Sequence, residues 1–131
     1  MIVVDSSVWI ANLRNQLIPP VLLLSDLSGR EPLIVGDLVM LEVLQGARDE
    51  VHAARIERDL RRHVVQPMLN VDIAVKAARN YRILRAGGAT VRKTVDLIIG
   101  TFCLEMGHRL LHDDRDFIAM EALLGLSVVH M

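Results

Sequence analysis

Residues 1–10 read MIVVDSSVWI. Ile2, Val3 and Val4 form a β-branched apolar run of the kind a buried strand uses, and Asp5 closes it at once. A carboxylate at the tip of a buried strand is costly unless something compensates it. The same pattern returns near the other end, where residues 109–117 read RLLHDDRDF: an apolar run followed by Asp113, Asp114 and Asp116. The fold has to explain why two buried strands both run into acid.

Working outward from Ile2–Val4, apolar runs alternate with helical patterns. Ser7–Arg14 reads as a helix capped by Ser6 or Asp5. Pro19 and Pro20 suit the start of a second helix over Val21–Leu27, ending near Gly29. Leu33–Val35 reads as a strand, and Asp37 as the cap of a helix over Leu38–Gln45. Val51–Arg62 reads as a charged helix, and Val64–Val65 as a strand stopped by Pro67. Val71–Ala86 reads as a long helix stopped by Gly87 and Gly88. Thr94 suits the cap of a helix over Val95–Met106, closed by Gly107. Leu110–His112 reads as a strand, Phe117–Leu124 as a helix and Ser127–His130 as a last strand. Strands that alternate with helices and are apolar throughout imply an α/β fold, its central parallel sheet covered on both faces.

Size and charge set the bounds. The chain has 131 residues, which implies a single domain spanning residues 1–131. Hydrophobic residues make up 52 %, so either the core is dense or a partner chain covers apolar surface. A net charge of -1 excludes polyanion binding by bulk electrostatics. The lone cysteine, Cys103, excludes an internal disulfide and points to a reducing compartment. The chain shows neither a signal-peptide pattern nor an apolar stretch of membrane-spanning length, so the expectation is a soluble cytoplasmic protein with no membrane contact.

In a parallel sheet all the strands' carboxyl ends lie at one edge, and ligand sites of open α/β sheets lie there too. Asp5 and the Asp114 group are therefore expected to meet. Asp96 opens the otherwise apolar helix TVDLIIGTFCL, whose start should face the same edge, and Glu42 is the only acid in LVMLEVLQG. Each acid has an innocent account when taken alone. Asp96 favours the helix dipole, Glu42 fits a solvated stripe with Gln45 and Asp49, and Asp5 and Asp116 suit helix caps. Those accounts do not predict convergence. Converging carboxylates repel one another and take up protons unless a cation intervenes. Oxygen-only ligands, with no Cys or His at metal spacing, select Mg²⁺ or Mn²⁺. Such an ion can activate water and stabilise charge developing on a phosphodiester.

With VVDSSVWI, LEVLQGA, TVDLIIGTFCLEMG and LLHDDRDF in this order, the chain resembles the PIN-domain ribonucleases, and among them VapC toxins of toxin–antitoxin pairs. The resemblance implies a Rossmann-like, three-layer α/β/α sandwich with the first strand central. It implies Asp5, Asp96 and Asp114 as metal ligands, Glu42 as the acid that holds metal or positions water, Asp116 as an accessory acid, and Ser7 as a small polar neighbour at the substrate. It further implies Mg²⁺- or Mn²⁺-dependent endonucleolytic hydrolysis of RNA leaving a 5′-phosphate and a 3′-hydroxyl. The implied partners are a second copy in a homodimer, a VapB-type antitoxin, and operator DNA reached only through the antitoxin. A different class of function fits the same acids, a non-catalytic pocket that docks a basic partner segment. A receiver domain fits poorly, because the third strand ends VVQP and no lysine follows Lys93.

Between Asp72 and Asp96 there is no acid, while Lys76, Arg79, Arg82, Arg85, Arg92 and Lys93 form a local positive ridge suited to phosphate. Arg92 and Lys93, next to the Asp96 helix, are the best placed for substrate. Arg55, Arg58, Arg61 and Arg62, interleaved with Glu57 and Asp59, read as a salt-bridged solvated helix. Cys103, Phe117, Met40, Met68, Met106 and Met120 read as core, and Trp9 as packing or partner contact. His112 reads as strand-end packing, and the direction of Asp113 is open.

Overall fold

The computed structural model describes residues 1–130. Its order is β1 (Ile2–Val4), α1 (Ser6–Leu13), α2 (Pro19–Leu27), β2 (Leu33–Gly36), α3 (Asp37–Gln45), α4 (Glu50–Leu60), β3 (Val64–Gln66), α5 (Val71–Ala86), α6 (Thr94–Met106), β4 (Arg109–Leu111) and α7 (Asp116–Leu124). The sheet has four strands in the order β3-β2-β1-β4, and every pairing is parallel. Two helices fill each crossover, which is the covering that parallel strands require.

The strand order decides where a site forms. The chain steps outward from β1 through β2 to β3, then returns to place β4 on the other side of β1. The crossover from β1 therefore runs to one side, toward β2, while β4 lies on the other side of β1. Such a switch point opens a crevice at the carboxyl ends of the two strands. Val4 pairs with Leu111 in the ladder, and the next amide, Asp5 N–H, donates to the Leu111 carbonyl at 2.9 Å. Asp5 and the His112–Asp116 turn thus leave the sheet side by side.

Burial follows the sequence pattern at the centre of the sheet. Ile2, Val3, Val4, Ile34 and Val35 are fully buried, and Leu110 and Leu111 join them. Helices α1 to α4 pack among themselves, as do α5, α6 and α7, so two helical groups flank the sheet. The heart of the second group is α6, buried without a break from Asp96 to Cys103. A helix that is apolar on all sides belongs inside. Gly100 lets α7 lie against it, because a Cβ there would run into the Met120 sulfur.

Several boundaries differ from the sequence reading. The third strand is not covered on both faces: Val64 and Val65 remain 37 % and 38 % exposed, because β3 is the sheet's edge. The expected final strand over Ser127–His130 shrinks to one bridge, Leu110 with Val128, held by the Leu110 and Val129 amides. Asp37 and Thr94 are the first residues of their helices, and Gly36 and Lys93 are the caps. The Asp37 carboxylate instead accepts the Leu38 and Met68 amides, pinning the segment after β3 to the start of α3. The last strand ends at Leu111, so His112 already lies in the turn. Met68 and Met120 are core, but Met40 is only half-buried and Met106 is 50 % exposed at the last turn of α6.

Candidate functional site

Asp5 is 1 % exposed and caps α1, its Oδ2 accepting from the Ser7 amide at 3.0 Å and the Ser7 hydroxyl at 2.6 Å. Its other oxygen, Oδ1, is buried without a hydrogen-bond partner. The Ser7 hydroxyl, having donated to Asp5, accepts the Asp113 amide at 3.0 Å and so ties the two strand ends together across 106 residues. Asp113 itself is exposed. Both Asp5 and Ser7 therefore have structural partners, yet half of the Asp5 carboxylate is left over.

Asp96, Asp114 and Asp116 meet directly. One carboxylate oxygen from each lies within 4.8 Å of the other two. Asp96 comes from the first turn of the buried helix α6, while Asp114 and Asp116 come from the turn that enters α7. That turn is self-braced: the Asp116 amide donates to Asp114 Oδ1 at 3.0 Å, and the Asp114 amide donates to His112 Nδ1 at 3.2 Å. Asp116 Oδ2 accepts the Arg92 amide at 3.2 Å. It is the backbone of Arg92 that touches this cluster. Lys93 Nζ reaches Asp114 Oδ2 at 2.9 Å and lies 3.9 Å from Asp96 Oδ2.

The protonation pattern follows from burial. Asp96 is pushed up to about 8, chiefly by burial, then by the charges of Asp5 and Asp114 and a hydrogen bond with Asp116, with Lys93 opposing. Burial also raises Asp5, against its hydrogen bonds from Ser7. Asp114 goes the other way. Partial burial pushes it up, but the Asp116 amide and the Lys93 ammonium outweigh that and hold it below the usual carboxylate range. Burial lowers His112 despite the surrounding acids, so a neutral ring accepts from Asp114 and packs on Phe117, centroids 5.0 Å apart. Two of the four acids around the crevice, Asp5 and Asp96, are thus pushed toward the protonated form, chiefly by burial.

The residues present suit a divalent cation. Asp5 Oδ1 and Asp96 Oδ2 are buried oxygens with no hydrogen-bond partner, and a buried polar atom without one is rare. The donors are all carboxylate oxygens, the set chosen by Mg²⁺ and Mn²⁺. Asp5 does not join the mutual 4.8 Å group, but its charge acts on Asp96 and Lys93, and the charge of Asp114 acts on it. Glu42 stands outside that group too. It is half-buried on α3, and Ser6 Oγ donates to its Oε1 at 2.9 Å. The role of Ser6 was missed in the sequence; the doubled hydroxyl of DSS was its signal, since each serine serves a different acid.

The surrounding cations are sorted by their contacts. Lys76 pairs with Glu105 at 2.7 Å and links α5 to α6. Arg82 and Arg85 line an apolar cavity of about 570 Å³ with Tyr81, Leu97 and Ile98, and the Arg85 guanidinium sits 5.8 Å from the Tyr81 ring centre. On α4, Arg61 pairs with Glu57 and the adjoining Arg62 with Asp59, as the solvated-helix reading expects. Trp9 is buried against His63, and Cys103 is an inert thiol pushed up to about 12 by burial.

Comparison with known proteins agrees with this layout. The family model described as PIN domain matches residues 2–123. A VapC ribonuclease of Mycobacterium bovis is 31 % identical over 134 aligned positions, covering 97 % of this chain and 96 % of the relative. Ribonuclease VapC11 of Mycobacterium tuberculosis matches to the same extent. Among solved structures, VapBC2 from Rickettsia felis, bound to a promoter DNA fragment, superposes with a TM-score of 0.79 at 13 % identity, covering 100 % of this chain and 99 % of that one. VapBC-1 from nontypeable Haemophilus influenzae gives 0.75 at 20 % identity, covering 98 % and 97 %. At these identities the structural matches carry the fold, and the sequence relatives carry the lineage: the chain belongs to the PIN-domain family, among the VapC ribonucleases.

Proposed function

We propose that this protein is a metal-dependent endoribonuclease toxin that hydrolyses RNA phosphodiester bonds and is neutralised by a VapB-type antitoxin. The single observation that carries the reading is the pair of orphaned buried oxygens, Asp5 Oδ1 and Asp96 Oδ2, beside the Asp96–Asp114–Asp116 group. Asp5, Asp96 and Asp114 would hold Mg²⁺ or Mn²⁺. The bound ion would polarise the phosphate and lower the pKa of a water. Glu42, fixed by Ser6, and Asp116, fixed by the Arg92 amide, orient that water for attack on phosphorus. Ser7 holds Asp5 and the turn after β4 in register, so the acids do not drift apart as charge builds. Arg92 and Lys93, exposed at the mouth, meet the phosphates of the substrate on either side of the cut.

The solved relatives are VapBC proteins, one of them bound to promoter DNA, and VapBC-5 from Mycobacterium tuberculosis is described as a member of the VapBC family of toxin–antitoxin systems. We read the same assembly here, with operator DNA reached through the antitoxin. We read a homodimer as well, and the apolar side chains exposed on α5 support it, with Val71 and Val75 80 % and 66 % exposed. No helix among the described residues is long and apolar enough to cross a membrane, and the reading places the protein in the cytoplasm with its RNA.

Incubation of the purified chain with RNA should give cleavage in Mg²⁺ or Mn²⁺ and none in EDTA. Asp96→Asn should cut more slowly by on the order of a hundredfold or more while remaining folded. Full cutting by that variant overturns the assignment. A second reading has the pocket only docking a basic partner segment, and the ammonium of Lys93 on Asp114 favours it by showing that the acids accept a cationic side chain. Metal-independent failure to cut any RNA, together with tight binding of an arginine-bearing peptide, would select it.

A further inference from the structure

The acidic cluster is met by a cation from its own chain. Among the described residues, Lys93 is the one lysine or arginine in ion-pair contact with Asp96 and Asp114. Its side chain is 57 % exposed, while that of Asp96 is 2 % exposed, so the ammonium sits at the mouth and the carboxylates lie beneath it. Its backbone is fixed as the cap of α6, but four methylenes separate that anchor from the charge.

The ammonium compensates charge without completing the site. It hydrogen-bonds Asp114 Oδ2 at 2.9 Å, but at 3.9 Å from Asp96 Oδ2 it is too far to do the same there. Asp96 Oδ2 and Asp5 Oδ1 stay unpartnered. A monovalent donor of three hydrogen bonds is the wrong group for several inward-facing carboxylates, whereas a divalent ion binds them all at once. A divalent ion held by the cluster would draw on the same Asp114 carboxylate that Lys93 holds, and a metal ion repels an ammonium placed against it.

We propose that Lys93 is a tethered counter-cation that competes with the divalent ion for Asp114 and Asp96. It holds the cluster together before loading and swings clear when the metal arrives. This rests on the metal-dependent reading above. The displaced ammonium stays at the mouth, where the charge of a substrate phosphate holds it. One side chain then acts as a placeholder for the ion and afterwards as a clamp on the substrate, and metal affinity is set below what the carboxylates alone would give.

Mn²⁺ titration of the purified full chain, read by the electron paramagnetic resonance signal of the free ion, tests this. Lys93→Gln should bind Mn²⁺ about fivefold more tightly than the unaltered chain, the upper range for a partly exposed ion pair. Arg115→Gln, which removes a nearby charge without an ion pair to the cluster, should change affinity by less than about twofold. Without metal, Lys93→Gln should melt below the unaltered chain, and Mn²⁺ should close the gap. Equal or weaker binding by Lys93→Gln overturns the competition while leaving the metal site standing. Absence of saturable binding in both the unaltered chain and Lys93→Gln overturns the metal reading and the competition together.

Discussion

At the scale of the residue, Asp96 governs how the protein responds to pH. Its folded pKa of about 8 lies above the ordinary 3.8, so over that window the folded chain holds a proton that the unfolded chain has lost. Stability therefore falls as pH rises from the lower value to the higher, and levels off above it. Asp5 acts in the same direction, while His63, His108 and His112, all lowered by burial, matter only toward the acid end. Without metal, the Tm should fall by about 4 °C between pH 6.5 and pH 8, and Asp96→Asn should flatten that slope. Divalent ions should raise the Tm more at the higher pH, because there they displace fewer protons. A melting series across pH with and without Mg²⁺ checks both signs, and a flat profile for the unaltered chain refutes them. Sequence alone made the acids legible as a set, because Asp5, Asp96 and Asp114 each end or begin an otherwise apolar element. It did not reveal that Lys93 faces two of them, or that Asp116 lies inside the group while Asp5 stands beside it. Those are matters of side-chain reach across elements, which residue spacing does not encode.

At the scale of the element, α6 carries the site. Its burial on every side fixes the height at which Asp96 meets the turn after β4, and Gly100 sets how closely α7 approaches. Gly100→Val should destabilise the protein by about 1–3 kcal/mol, since the added methyls overlap Met120 in a filled core. Denaturant unfolding measures this, and an unchanged midpoint would show that Met120 yields freely. Asn80, donating to Thr101 Oγ1 at 3.0 Å, satisfies the one hydroxyl buried on the α5 side of α6. The helix itself was plain in the sequence, because a uniformly apolar run with an early acid and a closing glycine has few other readings. Its cap was not: Lys93 takes that place through backbone geometry, with no side-chain hydrogen bond to announce it. The third strand was readable as a strand, but its position at the edge was not, since strand order depends on which crossover reverses.

At the scale of the whole molecule, α5 and the segment just before it expose several apolar side chains. Leu69, Val71, Val75 and Tyr81 are all more than a third exposed there. If a second copy covers this surface, Ala78→Glu, which puts a charge on the cavity wall, should convert a two-chain species into a one-chain species in sedimentation. A two-chain species that persists in that variant would move the contact elsewhere. Composition left two outcomes open, since a chain with this much apolar content either buries it in a dense core or shares it with a partner.

The return of β4 to the flank of β1 also orders events in time. A ribosome releases Asp5 well before Asp114 and Asp116, which follow β4. A nascent chain cut short before β4 carries only part of the acid set and has no neighbour for the open side of β1. If the acids act as proposed, an unfinished copy cannot carry out their chemistry until synthesis has passed the last strand.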